Sequence, residues 1–264
     1  MREGVGTDHL AYRRRKDGDA DPRDVRVEVA GLLMIKEVVA ELDTTAIDWV
    51  RELLTKFAVD IKNTTGATRD AFMKVQEQTS RLERVGIELL ANDLAPAEDT
   101  EGNPYPTFER HLYSDAAGKY PVKLNDWETT VVTTELGRKS TVAWYRNPAR
   151  AARSALRIAY QDEAGTWKSL QVDFLVISKK DDGTLAASIV DPHGDHLADA
   201  KSKLRALADY AEQYGGELLR VESIAKVGDS LRALDLHDAK VRGAVRAFEG
   251  GKVTALYESD AAHD

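Results

Sequence analysis

The chain has 264 residues, 42% of them hydrophobic, which is enough to bury a core and excludes global disorder. The absence of cysteine excludes disulfides, cysteine-ligated zinc and a cysteine nucleophile, and fits a cytoplasmic location. A formal net charge of −8 argues against a protein coated in positive charge, and no run of 18 apolar residues predicts a membrane helix, so no membrane partner is expected.

Residues 1–23 are polar and charged, lack the apolar stretch of a signal peptide, and are predicted to be a flexible tail. From Val25, the positions Val25, Val29, Leu32, Leu33, Val39 and Leu42 recur at helical spacing, although the alternation Val25, Val27, Val29 also fits a strand. Asp43, Thr44 and Thr45 are good N-caps, so a second helix is predicted after them, with Ala46, Trp49, Val50, Leu53, Leu54, Phe57 and Ile61 inward. Trp49 and Phe57 are read as core. A third helix is predicted over 68–91, with Phe72, Val75 and Leu82 on its inner face. Residues 24–91 thus form a helical subdomain. Residues 92–107 hold three prolines, a glycine and several acids, and read as a linker to a second domain over 108–264.

Beyond the linker the pattern changes. Residues 111–124 read as a hairpin with Gly118 in the turn, and 125–136 as a helix capped by Asn125 or Asp126. Strands are predicted over 141–146, 155–161, 169–178 and 185–191, the last two joined by a tight turn at 179–184. A helix follows, with Leu197, Ala200, Leu204, Leu207, Ala208 and Ala211 on one face. A strand over 218–227, the segment "SLRALDL" at 230–236 and a helix over 238–248 complete the chain, an α+β arrangement of helices on a mixed sheet.

Two acids carry the chemistry. Asp173 lies in "VDFLVIS" and Asp191 ends "SIVD", 18 positions later and one strand on. Neighbouring antiparallel strands bring such residues side by side, and two carboxylates there suit a hard cation, Mg²⁺ or Mn²⁺. Such an ion polarises a phosphate and lowers the pKa of an attacking water. Asp173 in an apolar strand also reads as a polar group satisfied by backbone, Asp191-Pro192 as a strand end, and His196 as a cap of the next helix. Trp144 and Tyr145 read as packing residues. Between Arg138 and Arg157 stand six basic residues, Arg138, Lys139, Arg146, Arg150, Arg153 and Arg157, and no acid. That stripe fits a grip on a DNA backbone, and it equally fits a solvated face.

The phrases "HLYSD", "LNDWE", "VAWYRNPAR", "LRIAYQ", "VDFLVIS" and "IVDPHGDHLADAKSKLRALADYAE" stand in an order and spacing that resembles a known family. Residues 111–215 are similar to the C-terminal endonuclease-like region of type III restriction enzyme Res subunits and related DEAD/DEAH-box helicases, of the PD-(D/E)XK nuclease superfamily. The resemblance implies an N-terminal helical subdomain followed by a restriction-endonuclease-like mixed sheet flanked by helices. It implies Asp173 and Asp191 as the metal-binding acids and Glu128 as an additional one. The motif lysine is replaced by His193, a candidate base or ligand, and Lys201 is the candidate substitute for that lysine. "GGKV" at 250–253 lacks the first glycine and hydroxyl residue of a phosphate loop, so the ATPase motor would belong to a helicase or restriction-modification partner. Two functions follow: a Mg²⁺-dependent DNA phosphodiesterase, or a degenerate nuclease-fold module that binds DNA or docks a helicase.

Overall fold

A computed structural model describes residues 5–18, 20–80, 98–152, 154–192, 199–259 and 262–263. The chain divides into two compact units, Met1–Leu53 and Leu54–Asp264. The division falls inside a helix, where the sequence places the linker at 92–107; residues 92–97 of that stretch lie outside the described residues.

The first unit is helical. The segment expected as a tail contains helix α1 (Val5–Asp17). Helix α2 (Pro22–Leu33) starts at Asp21, whose carboxylate accepts the Arg23 N–H at 2.7 Å, with Pro22 in the first turn where its missing N–H costs nothing. Arg13 of α1 reaches Glu28 of α2 at 3.4 Å. The break predicted at Asp43–Thr45 falls instead after Leu33, and helix α3 (Lys36–Lys56) runs unbroken through those three residues. Good capping residues do not end a helix when both flanks keep the helical period. Trp49 and Phe57, predicted as core, are 61% and 41% exposed. Helical spacing identifies an apolar face but not what covers it.

In the second unit, short helix α4 (Ala58–Asn63) and helix α5 (Gly66–Gln78) precede the sheet region. The third predicted helix is described to Gln78; residues 81–91 lie outside the described residues. Strands β1 (Thr107–Glu109) and β2 (Lys119–Pro121) form a hairpin that begins a few residues before the predicted one, with Gly118 in its turn at φ 73°. Helix α6 (Asp126–Gly137) follows, then β3 (Thr141–Arg146).

The predicted strand at 169–178 is two strands in two sheets. β4 (Arg157–Gln161) pairs with β5 (Trp167–Gln171) as a separate ribbon, and β6 (Phe174–Lys179) joins the main sheet. Helix α5 packs on the ribbon: Met73 is buried with Ala159 and Trp167, and Gln76 donates to Ser169 Oγ at 2.9 Å. The main sheet continues with β7 (Leu185–Pro192), helix α7 (Ala200–Tyr214), β8 (Arg220–Val227), β9 (Ser230–Asp235), helices α8 (Ala239–Ala247) and α9 (Thr254–Tyr257), and β10 (Ala262–His263). Its order is β10-β9-β8-β7-β6-β3, with β7 and β8 parallel and the other pairs antiparallel. The α7 crossover between β7 and β8 is what parallel neighbours require.

Alternation along the strands divides the core between the two sheet faces. Tyr145, Leu175 and Ile189 pack with Leu204, Leu207 and Ala208 of α7. Trp144, Phe174 and Val190 point the other way, to Val131 and Val132 of α6. The α+β class with a mixed sheet flanked by helices is therefore realised. No helix among the described residues is long and apolar enough to cross a membrane.

Candidate functional site

Three charged side chains meet where β3 ends and β6 begins, and the Asp191 carboxylate of β7 reaches the main chain there. Glu128 lies in the first turn of α6. Its Oε2 accepts the Asn125 N–H at 2.8 Å while Asn125 Oδ1 accepts the Glu128 N–H at 2.9 Å, a reciprocal cap that fixes the carboxylate. Its Oε1 meets Arg146 Nη2 at 2.7 Å. Arg146 is the last residue of β3, opposite Phe174 in register, and its guanidinium lies 4.9 Å from the Phe174 ring centre. Its Nη1 stands 3.0 Å from Asp173 Oδ1. Asp173, in the gap between β5 and β6, sends its backbone N–H to Asp191 Oδ1 at 2.9 Å. Asp191 is 2% exposed.

The gap that places Asp173 is held by Asn147, a residue the sequence reading missed. Asn147 is buried. Its Nδ2 donates to the carbonyls of Leu156 at 3.0 Å and Val172 at 2.8 Å, its Oδ1 accepts the Leu156 N–H at 2.7 Å, and its own N–H reaches the Asp173 carbonyl at 3.0 Å. One amide thus satisfies the backbone where three strands part. The available signal was Asn-Pro directly after a strand, a turn mark that also suits a buried junction.

Behind Asp191 the parallel partner on β8 is Ser223, whose Oγ lies 2.7 Å from the Tyr257 hydroxyl. Burial, with the Asp191 charge adding to it, holds the Tyr257 phenol above its ordinary pKa, so it stays protonated. Beside the cluster, His111 is 4% exposed and stacks on Tyr120 with ring centres 3.6 Å apart. Both its ring nitrogens face backbone N–H groups, of Tyr113 at 3.0 Å and Arg146 at 3.1 Å. Burial pushes its pKa down to about 3, so the ring is neutral.

The predicted site residues thus separate. Glu128, Asp173 and Asp191 come together, and Arg146, expected on DNA, is the cation among them. Lys201 is not shared with this cluster through any ion pair among the described residues; it pairs with Glu163 and lies 3.8 Å from Glu249. His193 and Arg153 lie outside the described residues. Arg150 is exposed, whereas Arg157 is 7% exposed and donates to Thr55 Oγ1 at 3.3 Å, so the arginine stripe is not one continuous surface.

Oxygen ligands such as these three carboxylates suit Mg²⁺ in kind. Arg146 already bridges Glu128 and Asp173, and one Asp191 oxygen is occupied by a backbone N–H. Among the described residues no group of three or more such side chains is arranged to hold a metal ion.

Residues 109–264 match the YagJ family. The chain is similar to "Protein YagJ" of Escherichia coli (strain K12), with 35% identity over 244 residues, covering 91% of this chain and 99% of that protein. No solved structure matches.

Proposed function

The chain belongs to the YagJ family, and we propose that it is a nuclease-fold module that binds DNA without cutting it. The observation that carries this reading is the Arg146 guanidinium between Glu128 and Asp173. A permanent cation occupies two of the acids that would otherwise recruit Mg²⁺ and offsets one of their charges, and Lys201 is engaged with Glu163 instead of completing the cluster. In this reading the sheet keeps the nuclease-like layout as a scaffold, exposed Arg150 contacts phosphate, and a helicase or other restriction-type partner supplies any motor. The exposed Val27, Met34 and Trp49 of the first unit are suited to such docking.

The test pairs binding with cleavage. DNA binding, followed by fluorescence anisotropy, is expected to weaken steeply with salt and to weaken further in Arg150→Ala, whose log K against log salt slope should fall by about 1. No product is expected from supercoiled or linear DNA with Mg²⁺ or Mn²⁺. DNA affinity indifferent to salt and to Arg150 overturns the binding half.

A second reading, a Mg²⁺-dependent phosphodiesterase, is favoured by one observation. Glu128, Asp173 and Asp191, distant in sequence, converge from α6, the β5–β6 gap and β7. It requires Arg146 to move away when metal and DNA bind. Cleavage that disappears in both Asp173→Ala and Asp191→Ala would establish it.

A further inference from the structure

A pocket of about 660 Å³ opens in the second unit between α4, α5 and the β4–β5 ribbon, and shares none of its lining with Glu128, Arg146, Asp173 or Asp191. Six of its lining residues are cationic, Lys62, Arg69, Arg150, Arg157, Lys168 and Lys203, against one acid, Asp199. In a chain of net charge −8 this is a pronounced local reversal of sign. The acid is itself occupied: Asp199 takes the Tyr160 hydroxyl at 2.9 Å and the Lys203 ammonium at 3.1 Å. Arg69 is aimed by neutral groups, donating to the carbonyls of Trp167 at 3.3 Å and Lys62 at 3.0 Å, which fix the guanidinium without cancelling its charge. Arg157, buried at the same wall, is braced on the Thr55 hydroxyl at 3.3 Å. Planar guanidiniums held in place are suited to phosphate oxygens, and exposed Lys62 adds long-range attraction, whereas Lys168 is itself paired with Asp162 at 3.1 Å.

Leu54, Val59 and Met73 add apolar lining to the same pocket. Cationic and apolar lining in one pocket suit a ligand that carries both an anionic and an apolar part. The volume lies in the range of small-molecule sites, roughly 300–1,000 Å³.

We propose that this pocket binds a nucleoside phosphate, with Arg69, Arg150, Arg157 and Lys203 on the phosphate and the base against Leu54, Val59 and Met73. The phosphate has two sources with the same chemistry, a free nucleotide or the 5′-phosphorylated end of a strand. The inference does not depend on the acid cluster or on duplex binding.

The experiment is calorimetric titration of the full chain with ATP, AMP and adenosine, and with one single-stranded oligonucleotide bearing either a 5′-phosphate or a 5′-hydroxyl. Phosphorylated probes are expected to bind at least tenfold tighter than their unphosphorylated counterparts. The double variant Lys62→Glu/Arg150→Glu, at two exposed positions, is expected to lose at least tenfold of that affinity. Lys62→Arg is expected to keep it, and unchanged circular dichroism melts show that the variants are folded. ATP and AMP binding identifies the free nucleotide as the source. Binding confined to the 5′-phosphorylated oligonucleotide identifies the strand end. Absence of binding by every phosphorylated probe, or affinity indifferent to the phosphate or to the charge-reversed variant, overturns the proposal.

Discussion

The Asp191 carboxylate accepts the backbone N–H of Asp173 at 2.9 Å, so the second of the two acids holds the first in place by its main chain. Asp191 is almost wholly buried, and its loss strands an N–H in the gap between β5 and β6. Asp191→Ala is expected to lower unfolding free energy by about 1–3 kcal/mol, and Asp191→Asn, which keeps an acceptor oxygen, by less. Urea unfolding of the two variants checks this; equal losses in both would show that the acceptor is not what matters.

Arg146 and a divalent cation compete for the same carboxylates. Removing the guanidinium in Arg146→Ala takes away the cation that Glu128 and Asp173 share. Mg²⁺ or Mn²⁺ at millimolar concentration is expected to raise the melting temperature of that variant and to leave the unaltered protein unchanged, because a ligand stabilises only a state that binds it. A melting temperature of Arg146→Ala indifferent to both ions would remove the idea that the arginine stands in for a metal.

Away from the candidate site, Arg220 on β8 joins two buried acids, Glu135 of α6 at 2.6 Å and Glu222 at 2.7 Å. Despite the desolvation that opposes it, hydrogen bonds and charge from these two acids raise the Arg220 pKa. Arg220→Ala takes this cation from both buried carboxylates and leaves Glu135 only its pair with Arg138 at 3.2 Å, a loss of about 3 kcal/mol. The triple variant with Glu135→Gln and Glu222→Gln is expected to recover part of it. Calorimetric melts of the two variants and the parent decide.

His111 makes stability depend on pH. Unfolded, the imidazole takes a proton below about 6.5; folded, burial holds its pKa at about 3. Between those values the unfolded state binds the extra proton, so stability is full above the upper value and falls as the solution is acidified. The slope approaches about 1.4 kcal/mol per pH unit for this one group. Urea unfolding at pH 7.5, 6.0 and 5.0 is expected to show it, and His111→Phe to flatten it. A variant with the parent's slope would assign the dependence to another group.

Elements whose signals are local were readable from residue order. Asn125 and Glu128 three positions apart mark the start of α6 and form the reciprocal cap there. The alternating run at 141–146 is β3, and the turn at 179–184 joins β6 and β7. The periodic face of α7 was equally plain, and a helix was expected over 238–248, where α8 stands. The split of 169–178 was not, because Val172 and Asp173 continue the strand pattern. The chain leaves one sheet for another there because Asn147 and Asp191, distant in sequence, take up the local backbone groups. Trp49 and Phe57 failed as core for a related reason: spacing defines a face, and burial needs a second surface.

The acid cluster divides in the same way. Residue order alone placed Asp173 and Asp191 near one another, since β6 and β7 are joined by a short turn and strand geometry does the rest. It also showed six basic residues without an acid between 138 and 157. Their separate fates depended on pairing across the fold: Arg146 between two acids, and Arg157 and Arg150 in the lining of one pocket, the first buried and the second exposed. Strand and helix periods act over a few residues and are written in sequence. The partner of a charge depends on which elements pack together, and only the packed sheet brings α6, β3, β6 and β7 to one point.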